Sequence, residues 1–229
     1  TVAGTTDIDA DGFAVYDVTL NTLGNDFGGA VSITGKDVSL FDSNDIDFGA
    51  SMTTGTFNVL AGGDITQSGA LNIAGDSSLA GVNITLNNAS NDFIGTVSAS
   101  GSLLGGNVSL TDINAINLGT SNTNGDYMIT AGGAVTQSGA LSVTGMTMIS
   151  AIGNDVTLNN ASNDFVGEVG IDANNVSITD INSITFKAST LTGGLIVNAN
   201  DGVTINGAVS TGAASSINSD ADLSGSGTF

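Results

Sequence analysis

The chain of 229 residues contains no proline, cysteine, tryptophan, histidine or arginine, and its only cations are Lys36 and Lys187. Without histidine or cysteine, the sequence supplies neither a Ser-His or Cys-His nucleophile nor an ordinary zinc site. Phosphate binding requires lysine and arginine, so the near absence of both argues against nucleic acid and anionic membrane surfaces as partners. The 22 acidic residues give a formal net charge of −20 at pH 7, which keeps a long repetitive protein soluble and attracts divalent cations.

Long hydrophobic runs are also missing. No stretch approaches the roughly 18 consecutive apolar residues of a membrane helix, so we expect no membrane insertion by this segment. The opening TVAGTTDIDADG has neither the basic start nor the apolar run of a signal peptide, and any export signal is expected elsewhere. Abundant instead are glycine, with 33 residues, asparagine and aspartate, which all favour turns. The 40% of hydrophobic residues suffices for a core.

A ten-residue motif recurs along the chain: LNNASNDFIG begins at Leu86, LNNASNDFVG at Leu158, and the diverged LNTLGNDFGG at Leu20. Further motif series recur in the same order, with copies about 70 residues apart. These series are DVSLFD, NVSLTDIN and NVSITDIN; IDFGAS, INLGTS and ITFKAS; FNVLAGG, YMITAGG and LIVNAND; and GGDITQSGAL, GGAVTQSGAL and NDGVTINGAV. The sequence therefore predicts repeat modules at about 17–82, 83–154 and 155–212, preceded by a partial module at 1–16.

Each module consists of short segments such as VSIT, INLG and LSVT, in which every second residue is apolar. This alternation predicts half-buried β-strands, and no segment shows a helical period. Equivalent strands, such as those at Val18 and Val38, lie about 20 residues apart, which suits one turn of a β-solenoid. We therefore predict an all-β protein formed by a single β-solenoid of about ten coils, with about three coils per module and a length of about 50 Å.

The recurring polar motif is interpreted as a corner that every module needs. In LNNASNDF, Leu86 ends a strand, residues 87–92 form a polar corner, and Phe93 is an aromatic anchor that points inward. Phe27 and Phe165 occupy the same repeat position, which favours a place in the core. The repeated Asn and Asp residues are therefore expected to be scaffold rather than a binding site, with amides that can ladder along the axis.

The sequence starts inside a module, because residues 1–21 align with residues 71–87 and 141–159. A solenoid with open coil ends exposes strand edges that invite further stacking. We expect either a fragment of a longer rod or a self-assembling subunit that stacks end to end into a filament. Both hypotheses predict a structural protein and not an enzyme.

The ordered motifs LNNASNDF, GxVSLTD, LGxS and AGGxxTQSGAL resemble the repeat region of filamentous haemagglutinin-like bacterial surface proteins. The resemblance covers about Thr1 to Val209, whereas residues 210–229 depart from it. It implies a right-handed parallel β-helix, export by two-partner secretion, and a place at the bacterial cell surface or outside the cell. The implied function is adhesion or cell–cell contact, with host or neighbouring cell-surface molecules or matrix as partners.

A remote alternative is a carbohydrate-active β-helix, since two Asp carboxylates at a set separation suffice for glycoside hydrolysis. With so many Asp residues such pairs arise by chance, so we assign no catalytic residue. The two lysines lie in different modules and are expected to decorate the surface.

The motif DIDADG near the start of the chain matches the D-x-D-x-D-G opening of calcium loops, in which alternate carboxylates converge on a hard cation. Val18 stands where an EF-hand needs its last acidic ligand, so a site here would be a looser loop. We name Asp7, Asp9 and Asp11 as candidate calcium ligands, with a strand of outward, solvated carboxylates as the alternative. Two weaker acidic candidates are DSNDID at 42–47 and NSDAD at 218–222. No cofactor is required.

Overall fold

The computed structural model describes residues 1–12, 15–101 and 105–220. Every helix or strand assigned in these ranges is a β-strand, and the strands pair in parallel. This part of the chain contains no helix long and apolar enough to cross a membrane. The strands stack into a β-solenoid of about ten turns, which confirms the predicted fold class.

The solenoid has two sheets, each built from strands that lie side by side along its axis. The first sheet contains 16 strands: β1 (Thr6–Asp9), β3 (Val31–Gly35), β5 (Ile46–Phe48), β6 (Ser51–Thr53), β8 (Ile65–Gln67), β9 (Leu71–Ile73), β11 (Ile84–Leu86), β12 (Asp92–Phe93), β14 (Val108–Asp112), β17 (Tyr127–Ala131), β20 (Thr147–Ser150), β23 (Glu168–Ala173), β25 (Ser183–Phe186), β26 (Ser189–Leu191), β28 (Gly202–Ile205) and β29 (Val209–Thr211). The second contains 14 strands: β2 (Val18–Leu20), β4 (Val38–Asp42), β7 (Phe57–Ala61), β10 (Ser77–Gly81), β13 (Thr96–Gly101), β15 (Ile116–Leu118), β16 (Ser121–Thr123), β18 (Val135–Gln137), β19 (Leu141–Val143), β21 (Val156–Leu158), β22 (Asp164–Phe165), β24 (Val176–Asp180), β27 (Leu195–Ala199) and β30 (Ser216–Asn218).

In most turns one sheet contributes one longer strand and the other contributes two short strands separated by a bend. After β7 crosses the second sheet, for example, β8 and β9 cross the first sheet, and β10 then returns to pair with β7. Phe57 and Ser77, at the starts of β7 and β10, are partners in register, so one turn takes about 20 residues. The turn length therefore agrees with the spacing of equivalent strands in the sequence.

A module makes three and a half turns and not the expected three. Val38 in β4 and Val176 in β24 begin the same motif two modules apart, and seven pairing steps along the second sheet connect their strands. Val108, which begins the motif in the module between them, lies in β14 of the first sheet. Each module is therefore rotated by about half a turn relative to the one before it, and equivalent residues alternate between the two sheets.

The half turn arises because columns of short strands begin and end within the stack. The long strands β3, β13 and β23 each pair with two short strands of the next turn, and a new column of short strands starts there. The columns β6–β9–β12 and β16–β19–β22 then stop, since β12 pairs only with β9 and β22 only with β19. At the end of a stopped column, a backbone N–H that points away from the column, such as that of Phe93, has no strand partner in the described part of the chain.

The core follows the alternation along each strand. In β4 and β14, for example, the first, third and fifth residues are buried and the others are partly exposed. Phe93 and Phe165 are 1% exposed and Phe27 is 8% exposed, which confirms their predicted place in the core. The buried side chains form one hydrophobic cluster that runs along the described chain, as stacked coils require.

Glycines occupy a corner at which successive coils come very close together. Gly55, Gly75 and Gly95 precede β7, β10 and β13 and stack on one another. A Cβ atom on Gly75 would overlap with the carbonyl group of Gly55, and one on Gly95 would overlap with the carbonyl group of Gly75. These obstacles are main-chain atoms, so a side chain at Gly75 would force two coils apart.

We predict that Gly75→Ala lowers the free energy of unfolding by about 3 kcal/mol, because the added Cβ breaks the stack at this corner. Urea denaturation followed by far-ultraviolet circular dichroism measures the change. Gly4→Ala is the matched control, since nothing lies within 4 Å of its added Cβ atom. Equal stability of the two variants would show that the corner accommodates a side chain, which would contradict the prediction.

Candidate functional site

A buried aspartate joins two repeated motifs at one corner of each module. In the second module Asp112 is 2% exposed, and its Oδ2 atom accepts the backbone N–H of Phe93 at 2.9 Å. Its Oδ1 atom accepts the backbone N–H of Asn114 at 2.8 Å. The same arrangement recurs with Asp42, Phe27 and Asn44, and with Asp180, Phe165 and Asn182. We call each of these three sets a corner lock.

Two further hydrogen bonds close the lock around the NDF motif. In the second module the Asn114 side-chain amide donates to Oδ1 of Asp92 at 3.0 Å, and the backbone N–H of Ile113 donates to the carbonyl of Asn91 at 2.8 Å. The third module repeats the first of these bonds between Asn182 and Asp164 at 3.0 Å. The lock therefore connects the loop after a long strand, such as β14, to the short strand β12 in the preceding turn of the solenoid.

The position of the lock explains why its central residue is an aspartate. Phe93 lies in β12, the last strand of a column, so no strand of the next turn accepts its backbone N–H. A buried N–H without a partner costs about 1–3 kcal/mol. The Asp112 carboxylate takes the place of the missing strand and also accepts the N–H of its own turn at Asn114.

A pair of side-chain amides, one buried and one partly buried, holds the other side of the same corner. Asn91 is fully buried, and its side chain exchanges two hydrogen bonds with the Gln67 side chain, both at 2.8 Å. Asn91 also accepts the backbone N–H of Leu71 at 2.9 Å and donates to the carbonyl of Leu86 at 3.1 Å. In the third module Asn163 makes the same four contacts with Gln137, Leu141 and Leu158.

Burial makes the locks of the second and third modules sensitive to protonation. Burial is the main cause that raises the pKa of Asp180 to about 6, and the carboxylates of Asp164 and Asp201 add to the shift against the two N–H groups that the carboxylate accepts. Burial also raises the pKa of Asp112, with a smaller contribution from Asp92. Both carboxyl groups therefore hold a proton more tightly in the folded chain than in the unfolded chain.

The candidate calcium ligands lie at the edge of the first sheet. Asp7 and Asp9 are exposed on the same side of β1, as the alternating pattern predicts. The Oδ1 atom of Asp9 accepts the backbone N–H of Asp11 at 3.2 Å, and a hydrogen bond with the Asp9 side chain raises the pKa of the Asp11 carboxyl. The structure thus brings Asp9 and Asp11 together but does not gather Asp7, Asp9 and Asp11 into one metal-binding group, and calcium binding by the three residues stays a prediction.

The two weaker acidic candidates have different outcomes. Asp42, the first residue of the segment 42–47, is fully buried as the centre of a corner lock, so it is not a free ligand on the surface. Asp45 is exposed and accepts the backbone N–H of Asp64 at 2.8 Å, an ordinary contact between coils. The segment 218–222 runs past the last described residue, and its Asp222 lies outside the described part of the chain.

The described residues contain neither a metal-binding cluster nor a pair of neighbouring lysines. Within residues 1–12, 15–101 and 105–220, no group of three or more His, Cys, Asp or Glu side chains is placed to hold a metal ion. Lys36 lies 3.0 Å from Asp37 and 3.7 Å from Asp17 and is exposed, whereas the Lys187 ammonium lies 3.1 Å from the sulfur of Met146. The prediction that both lysines decorate the surface therefore fits Lys36, while Lys187 packs partly against its neighbours.

Taken together, the stacked parallel coils and their periodic corner locks define a β-solenoid repeat protein. The chain belongs to the family described as repeats of unknown function, DUF5649, whose pattern matches residues 1–34, 35–100, 105–172 and 173–227. No curated protein and no solved structure gives a match to the chain.

The sequence contained a signal for the locks that motif spacing alone did not reveal. Asp42 follows Val38 and Leu40 at alternate positions, so strand alternation places its side chain inward with theirs. Gln67 and Gln137 each belong to a TQSGAL motif that precedes an NDF motif by a similar distance. In the last copy Ile205 replaces this glutamine and is 49% exposed, so the amide pair is absent there.

We predict that Asn163→Ala lowers the free energy of unfolding by about 2–4 kcal/mol, because it removes two hydrogen bonds from the partly buried Gln137 amide and leaves the buried N–H of Leu141 without its acceptor. Chemical denaturation measures this change. Ser162→Ala, one residue away on the exposed side, is the control and should change stability by less than about 0.5 kcal/mol. Similar losses for both variants would contradict a specific role for the amide pair.

We further predict that acid stabilises the protein within one window. Since the pKa of Asp180 is raised from 3.8 to about 6 on folding, the folded chain binds more protons there, and the free energy of unfolding falls as pH rises through this range. Asp180→Asn should make that fall shallower in denaturation curves recorded across the window. Asp47→Asn removes one surface charge outside the locks and controls for general repulsion; an equal effect of both variants would rule out the assignment.

Proposed function

We propose that the chain is a structural and adhesive section of an extracellular bacterial fibre of the filamentous haemagglutinin-like kind, mediating surface attachment or cell–cell contact. In this role it has no catalytic activity of its own. It holds weak binding surfaces, or a distal part of the same protein, at a distance from the cell. Many weak contacts on one rod then add up through avidity rather than through one deep pocket.

The observation that carries the proposal is the stack of about ten turns, in which a lock closes the columns β6–β9–β12 and β16–β19–β22. Ladder hydrogen bonds connect every turn to its neighbours, and the buried side chains form one continuous cluster. At a strand spacing of about 4.8 Å, ten turns support a stiff rod of about 50 Å. A stiff spacer of this length suits a protein that acts at a distance.

The charge supports the same role. The net charge of −20 with two lysines repels other copies of the chain and anionic polymers. Outside the cell, where divalent cations are plentiful, such a surface stays soluble while its coils remain paired. The hydrogen-bonded stack contains no cysteine and therefore does not depend on a redox state.

The half-turn rotation provides a sharp test of the spacer role in the parent protein. Removing residues 38–107 deletes one module, shortens the rod by about 17 Å and turns everything beyond it to the opposite side. Removing residues 38–175 deletes two modules, shortens the rod by about 34 Å and restores the original side. Both deletions join one VS motif to the next and leave the strand pattern intact.

If reach is what matters, attachment of the producing cells should fall with one deletion and fall further with two, as counted after washing under flow. Loss with one deletion and recovery with two would instead show that one face of the rod makes the contact. Unchanged attachment in both would contradict the proposal. Electron microscopy of the purified chain decides the filament alternative, because separate rods of about 50 Å are expected and long uniform filaments would favour end-to-end stacking.

A further inference from the structure

The outer face of the second sheet carries two parallel rows of side chains that begin in the first module. One row offers neutral hydrogen-bonding groups, and its members are partners in register: Ser39, Asn58, Ser78 and Ser98. The other row lies two residues further along each strand and is apolar: Phe41, Leu60 and Ala80. Both rows run along the axis of the rod, one residue per turn.

The two rows form the floor of an open groove of about 370 Å³. Leu60 is 50% exposed, and Leu23, from the loop after β2, is 80% exposed at the side of the groove. Phe41 points outward, since its neighbours Leu40 and Asp42 are both buried. The side chains that line the groove include no charged group.

The fold does not require this apolar row. Thr111 and Thr179 occupy the position of Phe41 in the other two modules, and Thr130 and Asn198 occupy that of Leu60. Those modules form the same strands with the same positions buried. Leaving Leu23 and Leu60 exposed and Phe41 only partly buried costs solubility, so these side chains are suited to contact with another molecule.

The chemistry of the groove narrows the choice of occupant. A lining without charge gives no ion pair to a charged ligand, and the net charge of −20 repels anions. A second copy would bring the same charge, and a stable dimer needs about 800 Å² from each partner, more than a few side chains supply. The remaining fit is a neutral, extended ligand with both apolar faces and hydroxyl groups.

We propose that this groove binds a segment of uncharged, extended polysaccharide along the axis of the rod. The apolar faces of the sugar rings pack on Phe41 and Leu60, while their hydroxyl groups meet the row of Ser and Asn side chains. One hexose unit of an extended chain is similar in length to the strand spacing of about 4.8 Å, so successive sugars meet successive turns. The inference deepens the proposed adhesive function and rests on it for its biological setting.

The test uses the full chain and three defined probes: cellohexaose, β-1,4-linked mannohexaose, and hexagalacturonate as the anionic comparison. Saturation-transfer NMR and calorimetry should detect binding of at least one neutral probe and none of the anionic one. The double variant Phe41→Thr/Leu60→Thr installs the residues of the second module and should weaken that binding about tenfold or more. Asn58→Ala/Ser78→Ala should weaken it through the hydrogen-bonding row, which purely apolar contact would not predict.

Thr111→Ala/Thr130→Ala changes the same two positions in the second module and should leave binding intact. Circular dichroism and thermal unfolding confirm that each variant folds. Binding of neither neutral probe would overturn the inference, as would binding that Phe41→Thr/Leu60→Thr does not alter. A dimer in sedimentation experiments that this variant abolishes would assign the groove to a second copy and also overturn it. Attachment that still depends on rod length would then leave the proposed function standing.

Discussion

The structure depends on how a buried backbone N–H is satisfied where a column of strands stops. In a uniform solenoid each strand finds its partners in the turns above and below, but here β12 and β22 have a partner on one side only. The carboxylates of Asp112 and Asp180 supply the missing acceptors, and the Asn–Gln pairs hold the loops that lead into these strands. A polar motif can therefore recur almost unchanged for reasons of backbone chemistry alone.

Ending a column is also what produces the half turn. Where a long strand pairs with two short ones, the sheet that had contributed one long strand per turn begins to contribute two short strands, and the other sheet takes over the long strand. The next module therefore begins on the other side. A sequence repeat of about 70 residues is thus half of a structural repeat. Surface features that occur once per module alternate sides, so contacts on a single face recur only every second module.

Alternation and spacing were enough to predict the strands, the solenoid, the number of turns and the buried Phe93 and Phe165. They did not predict three and a half turns per module, because a module of about 70 residues divides almost as well into three turns, and only strand pairing decides. The acidic run beginning at Asp42 resembled ligands for a cation, yet the parity of the strand places Asp42 inside and Phe41 outside. Counting alternate positions from Val38 would have assigned Asp42 to the interior and Phe41 to the surface.

The same alternation of inward and outward positions distinguishes scaffold residues from surface residues. Positions that point inward or close a lock hold the same kinds of residue in every module, since each copy must solve the same packing and hydrogen-bonding problem. Positions that point outward differ between modules: Phe41 corresponds to Thr111 and Thr179, although the strands that carry them are alike. The repeated inward positions therefore account for the rod. The outward positions that differ between modules are those at which a specific contact with another molecule can lie. Because neighbouring modules face opposite ways, such a contact can be confined to one side of the rod without any change in the core.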